Sequence, residues 1–166
     1  MLVIADTSPL HYLVLIDHSA ILPVLVGRVL IPPAVVQELQ HPRTPAPVRA
    51  WMASPPAWLE MRTPRQPLMT PMLLLGAGER EAITLAQDLR ADLVLMDDME
   101  GREEAEHHGL AVMGTLRVLE LAAEHRLIDF PTAIMKLQAT SFHLPLPLMR
   151  EMLARDADRK SGTGSI

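Results

Sequence analysis

The amino terminus reads Met1-Leu2-Val3-Ile4-Ala5-Asp6-Thr7-Ser8-Pro9-Leu10, an apolar run too short for a helix that stops at a carboxylate and passes at once into helix-start chemistry. Ser8 suits the capping of the first orphan amides, and Pro9 suits the first helical position. A strand that runs straight into a helix is the opening of a βα unit, and ligands in open α/β sheets bind outside the carboxyl ends of the strands. Asp6 therefore stands where a site is expected, although a strand-end Asp also serves as an ordinary cap or turn residue.

Outward from this stretch the same pattern recurs. Leu2 to Ala5, Val29 to Ile31, Trp58 to Met61, Leu93 to Met96 and Ala111 to Met113 are short strand candidates, most of them followed by a helix signal. Pro32-Pro33 opens a helix through Leu39, Gly78 opens another through Leu89, and Gly114-Thr115 leads into Leu116 to Glu124, where Leu116, Leu119 and Ala123 recur at helical spacing. The expectation is an α/β fold with a mainly parallel central sheet of about five short strands flanked by helices. The Pro-rich segment from His41 to Pro71 reads as a restrained flap of turns around one short helix near Val48 to Ala53. Leu146 to Ala154 reads as a late helix, and Ser161 to Ile166 as a flexible tail after a single domain of residues 1–160.

Composition narrows the chemistry. Over 166 residues, 49% are hydrophobic and only 3% aromatic, so the core must be aliphatic, as in helices packed on a buried sheet. The absence of cysteine excludes a disulfide framework, a thiolate nucleophile and cysteine-ligated zinc, and it suits a cytoplasmic protein. His107 and His108 are adjacent and diverge on a helix, which gives little support to a zinc site. No apolar run approaches a membrane span, and no basic region precedes the amino-terminal stretch, so a soluble protein without a membrane partner is expected. The net charge of -5 argues against a general nucleic-acid coat protein. Between Gln40 and Gly78, however, Arg43, Arg49, Arg62 and Arg65 face a single acid, Glu60, and such a stretch suits either phosphate or water.

Three further acids join Asp6. Glu38 falls on the flank of the stripe formed by Val35, Val36 and Leu39, where it reaches a cleft beside the sheet or simply meets solvent. In Gly78-Glu79-Arg80-Glu81-Ala82-Ile83, Glu79 shares the side of Ile83 and Ala86, with Glu81 at its edge as the alternate. The strand ending Leu93-Val94-Leu95-Met96-Asp97-Asp98 closes on two adjacent acids that benefit from a nearby cation; Asp97 is the first choice as ligand and Asp98 an alternate or outer partner. Asp92, at the other end of that strand, is structural. Hard cations such as Mg2+ and Mn2+ take oxygen ligands and retain waters when held by few carboxylates, so dispersed acids without a covalent nucleophile fit metal-assisted phosphodiester hydrolysis. Thr7, Ser8 and Thr115 serve either as ligand-orienting hydrogen-bond donors or as caps.

These pieces resemble the PIN-domain nucleases, and among them the small prokaryotic proteins related to the toxins of VapBC-type toxin-antitoxin pairs. The resemblance runs from about Leu2 to Leu127 and rests on Ala5-Asp6-Thr7-Ser8-Pro9-Leu10, Ile31-Pro32-Pro33-Ala34-Val35-Val36-Gln37-Glu38-Leu39, Gly78-Glu79-Arg80-Glu81-Ala82-Ile83 and the strand before Asp97-Asp98. It implies a PIN-like three-layer fold in which Asp6, Glu38, Glu79 and Asp97 line a site for Mg2+ or Mn2+ that hydrolyses RNA. A toxin of this kind would have a small antitoxin as partner, and the Met and Leu of the late helices are compatible with a homodimer. Two departures stand out: the third acid, usually Asp in the toxin-like members, is Glu79, and the usual Thr-x-Asp is Leu95-Met96-Asp97. Gly114-Thr115-Leu116 followed by Arg126-Leu127-Ile128 looks like a PIN subfamily whose members mostly have no assigned function. The alternative reading is a non-catalytic RNA- or protein-binding module with a weakened metal site. A receiver-like phosphoacceptor is disfavoured because the only lysines are Lys136 and Lys160.

Overall fold

The computed structural model describes residues 1–67 and 74–162. Five strands, β1 (Val3–Ala5), β2 (Val29–Ile31), β3 (Leu59–Met61), β4 (Leu93–Leu95) and β5 (Val112–Met113), form one sheet in the order β3-β2-β1-β4-β5, and every pairing is parallel. Val3 and Ile4 pair with Val29 and Leu30 on one side and with Leu93 and Val94 on the other, so β1 is central and β4 is its neighbour across the point where the strand order reverses. All residues of β1, β2 and β4 are buried, which requires cover on both faces of the sheet and explains why these segments are continuously apolar rather than alternating.

The connecting helices are α1 (Thr7–Leu15), α2 (Ile21–Leu25), α3 (Pro33–Leu39), α4 (Ala46–Ala53), α5 (Ala77–Leu89) and α6 (Met99–His107). On one face, Ile4, Leu30 and Val94 form a core with Ala82, Ile83, Leu85 and Ala86 of α5 and Ala105 of α6. α3 starts on Pro33 because a helix's first residue needs no N–H, and it packs beside α5. The amide of Ala34 in its first turn is satisfied by Glu81 Oε2 at 2.8 Å, so Glu81 caps a neighbouring helix.

Several elements depart from the sequence expectation. α1 begins at Thr7, with Asp6 in the cap position and Pro9 third in the helix; the missing N–H of Pro9 is still one of the first-turn orphans, so the earlier start costs no hydrogen bond. α2 is five residues long and contains Pro23, too short for periodicity to reveal. α6 buries only Gly101 and Ala105 and carries no apolar stripe. Within the expected flap, α4 begins two residues before Val48, and residues 68–71 lie outside the described ones.

The chain divides into two compact units, Met1–Thr115 and Leu116–Ile166. The second holds most of α7 (Thr115–Glu124), α8 (Phe130–Gln138) and α9 (Leu146–Gly162), with Val118, Leu119, Phe130, Ile134, Leu137 and Met152 buried. α9 runs on well past Ala154 and through the first two residues of the expected tail. Beyond Ala154 its support is ionic: Arg155 pairs with Glu151 at 2.8 Å, and buried Asp156 pairs with Arg159 at 2.5 Å and Lys160 at 2.9 Å. Residues 163–166 lie outside the described ones. Among the described residues no helix is long and apolar enough to cross a membrane.

Ile83, fully buried between α5 and the sheet, should cost about 2–5 kcal/mol when replaced by Ala, whereas Met135→Ala, at a side chain 68% exposed, should change stability by no more than about 0.5 kcal/mol. Urea unfolding of the two variants measures both.

Candidate active site

β1 and β4 deliver the first two acids. The amide of Asp6 donates to Leu95 O at 2.9 Å, the last ladder bond before the two chains separate, and Asp97 follows two residues beyond Leu95. Met96 N donates to Met113 O at 3.0 Å, which holds the β4 exit against β5. Asp6 occupies the cap position of α1, yet beyond the adjacent Thr7 amide its carboxylate makes no capping bond to the helix, and the residue is 4% exposed. The ordinary cap role is therefore not taken up, and a buried carboxylate remains at the reversal point of the sheet.

Glu38 is brought to the same place by α3 and fixed from two sides. Thr7 Oγ1 donates to its Oε2, and Gly78 N donates to its Oε1 at 3.0 Å. Gly78 is required here by close approach. A Cβ built on it would lie 2.6 Å from Glu38 Oε2 and 3.0 Å from Asp6 Oδ1, so the two carboxylates flank one point of backbone that has no room for a side chain. Glu79 follows on α5, partly buried, with its carboxyl against Gly101 of α6. Glu79, not Glu81, is the acid of this helix that faces the cluster.

Asp97 is held most firmly. Thr115 N donates to Oδ1 and Thr115 Oγ1 to Oδ2, each at 2.7 Å, so the threonine both starts α7 and orients the carboxylate. Gly114 permits this, since a Cβ there would meet Asp97 Oδ1 at 3.0 Å and Arg102 Nη1 at 3.1 Å. Asp98 is exposed and caps α6, accepting from Gly101 N at 3.2 Å. Asp92 accepts from Leu2 N at 2.6 Å at the far end of the sheet, the structural role expected of it.

The acids act on one another. Burial pushes the Asp6 carboxyl up to about 7, with Glu79, Glu38 and Asp97 adding to the rise and the Thr7 amide opposing it. Burial also raises Glu79, helped by Asp98 and Glu38, and raises Asp97 against the two Thr115 hydrogen bonds and the charge of Arg102. Asp6, Glu38, Glu79 and Asp97 thus share one field. Among the described residues no three acids or histidines stand close enough together to enclose a metal ion. The donor set still suits Mg2+ or Mn2+, which are commonly held by one or two carboxylates and otherwise by water. His108 is engaged by Glu104 at 2.9 Å on α6, away from these residues.

Of the residues named from sequence, the structure brings Asp6, Glu38, Glu79 and Asp97 into mutual electrostatic reach and sets Thr7 against Glu38 and Thr115 against Asp97. Sequence reading missed the close approach at Gly78, Gly101 and Gly114 and the place of Arg102; the available signal was a Gly immediately before Glu79 and another immediately before Thr115. Of the four arginines that suit either phosphate or water, Arg62 pairs with Glu60 and Arg49 donates to Thr44 O at 2.9 Å.

Residues 2–157 match the model of the family described as DUF3368, PIN domain. A solved PilT N-terminus domain protein from the hyperthermophilic archaeon Sulfolobus solfataricus P2 has a similar fold, with a TM-score of 0.54 at 17% identity over 75% of this chain and 96% of that one. No curated protein matches the chain.

Because the native carboxyl of Asp6 lies near 7 against an ordinary 3.8, the native state binds more protons than the unfolded chain across that interval. Stability of the metal-free protein should therefore fall as pH rises from about 4 to about 7, and Asp6→Asn should flatten that slope, measured by urea unfolding across the range. Gly78→Ala should lower stability by about 1–3 kcal/mol, since its methyl displaces the Glu38 carboxylate.

Proposed function

The chain belongs to the PIN-domain family, and on that premise we propose that it is a divalent-metal-dependent endoribonuclease whose active site is formed by Asp6, Glu38, Glu79 and Asp97. The observation that carries this reading is the carboxylate of Asp6, held between the ends of β1 and β4 and raised by its burial and, to a lesser extent, by three other acids. Such a cluster is unfavourable by itself and becomes favourable around a cation.

In this reading Asp6 and Asp97 would hold Mg2+ or Mn2+ with water completing the shell, Asp98 being an alternate or outer partner and Glu38 lining the site beside them. The ion supplies charge neutralisation at a phosphodiester and a more acidic water. Thr115 and Thr7 keep Asp97 and Glu38 in place, which limits reorganisation when substrate arrives. Glu79 is the partly exposed acid whose carboxyl is raised, and it suits the proton-accepting role toward the attacking water. The longer side chain of Glu79, compared with the usual Asp, reaches across from α5 to α6. A toxin role would add a small antitoxin whose segment covers the acidic cleft.

The second reading, a non-catalytic RNA- or protein-binding module, is favoured by the absence among the described residues of three acids within ligating reach of one point. Calorimetric titration with Mn2+ separates the two, since the module should bind no ion in the millimolar range.

Purified protein should cleave single-stranded RNA with Mn2+ or Mg2+, and Asp6→Asn should reduce the rate on the order of a hundredfold or more. Mn2+ should also raise the melting temperature more at about pH 8 than at about pH 5, because ligation needs ionised carboxylates. Wild type inert on varied RNAs, or an Asp6→Asn variant as active as wild type, would sink the enzymatic claim.

A further inference from the structure

Arg102 is a cation placed beside this acidic cluster, and among the described residues nothing uses its side-chain donors. It lies on α6 one turn past the cap Asp98, partly buried, with its backbone amide bonded to Asp98 O at 2.9 Å. Its Nη1 and Asp97 Oδ1 both approach Gly114, at 3.1 and 3.0 Å from the position a Cβ would take. The charge of Arg102 acts on Asp97, but the two form no ion pair among the described residues, and the hydrogen bonds to both Asp97 oxygens come from Thr115. Among the described residues no hydrogen bond or ion pair engages the guanidinium. Other arginines in the protein are in such bonds, including Arg62, Arg117 and Arg155.

A partly desolvated guanidinium with five N–H donors and no acceptor is poorly satisfied by the protein alone, and its geometry matches a phosphate fork to fork. Resting on the nuclease reading above, we propose that Arg102 binds a phosphate of the nucleic acid at the Asp97 side of the site, holding the backbone against the carboxylates that would otherwise repel it. Net charge makes this requirement acute. At -5 overall, with four acids lining the cleft, an incoming phosphodiester meets an unfavourable field that one correctly placed cation offsets locally. Gly114 has a matching purpose: its lack of a side chain leaves the guanidinium and Asp97 side by side without contact, so the arginine keeps its donors for a ligand.

The test compares wild type, Arg102→Gln and Arg102→Lys in binding a short fluorescein-labelled single-stranded RNA, with Ca2+ replacing Mg2+ so that binding is read without turnover. Arg102→Gln should weaken binding roughly tenfold or more and lower the slope of log affinity against log salt by about 0.7, the signature of one lost phosphate contact on a single strand. Arg102→Lys should recover the slope but only part of the affinity, because an ammonium keeps the charge and loses the fork. Mn2+ affinity, followed by electron paramagnetic resonance, should be unchanged or tighter in Arg102→Gln. An Arg102→Gln variant that binds RNA with wild-type affinity and slope overturns the assignment. So does a fall in Mn2+ affinity that accompanies the loss of RNA, since Arg102 would then act only by positioning Asp97. Wild type that binds no RNA defeats the nuclease reading itself and is recognised before any variant is compared.

Discussion

Carboxylates that share a poorly solvated cleft repel one another, and a fold can keep them together only by supplying donors or by importing positive charge. Here the protein supplies donors unevenly. Asp97 receives an amide and a hydroxyl from Thr115, Glu38 receives a hydroxyl from Thr7 and an amide from Gly78, whereas Asp6 is left with the Thr7 amide and the largest burial. The uneven distribution concentrates the electrostatic cost on the central residue. The sheet then has to be built accurately around it, because the β1–β4 register brings Asp6 to Asp97 before Thr115 orients the second carboxylate.

Glycine allows that accuracy where helices approach the acids. At Gly78 the amide serves Glu38 while the absent side chain leaves space for Asp6, so one residue is both donor and void. The same economy appears at Gly114, where the chain turns from β5 into α7 and sets Thr115 beneath Asp97. Glu81 shows the converse. Two residues from Glu79, it turns its carboxylate to the first turn of α3, and the two acids of one helix acquire separate purposes, one for the fold and one for the site.

Much of this was legible in the chain because local signals and global structure agree. Short aliphatic runs mark the buried strands β1, β2 and β4 to within one residue at either end, and Pro33 marks the start of α3. α6 and the end of α9 were not legible, because polar helices held by a cap or by ion pairs carry no hydrophobic period. At the site, strand-end acids announce themselves by position. Which of Glu79 and Glu81 turns toward the cleft depends instead on where the first turn of α3 lies, a fact of three-dimensional packing. Arg102 was hidden for a similar reason, since it sits in a run of acids where an arginine reads as one half of a surface ion pair.

The order in which the chain visits the cleft has a consequence for synthesis. Asp6 emerges from a ribosome first, but its neighbour in the sheet is β4, which is made after β2 and β3, and the threonine that fixes Asp97 comes later still. A nascent chain that ends before Thr115 can hold its acids in no finished arrangement. A polypeptide that belongs to the PIN-domain family is thereby without the full complement of groups around its acids until Thr115 has been made.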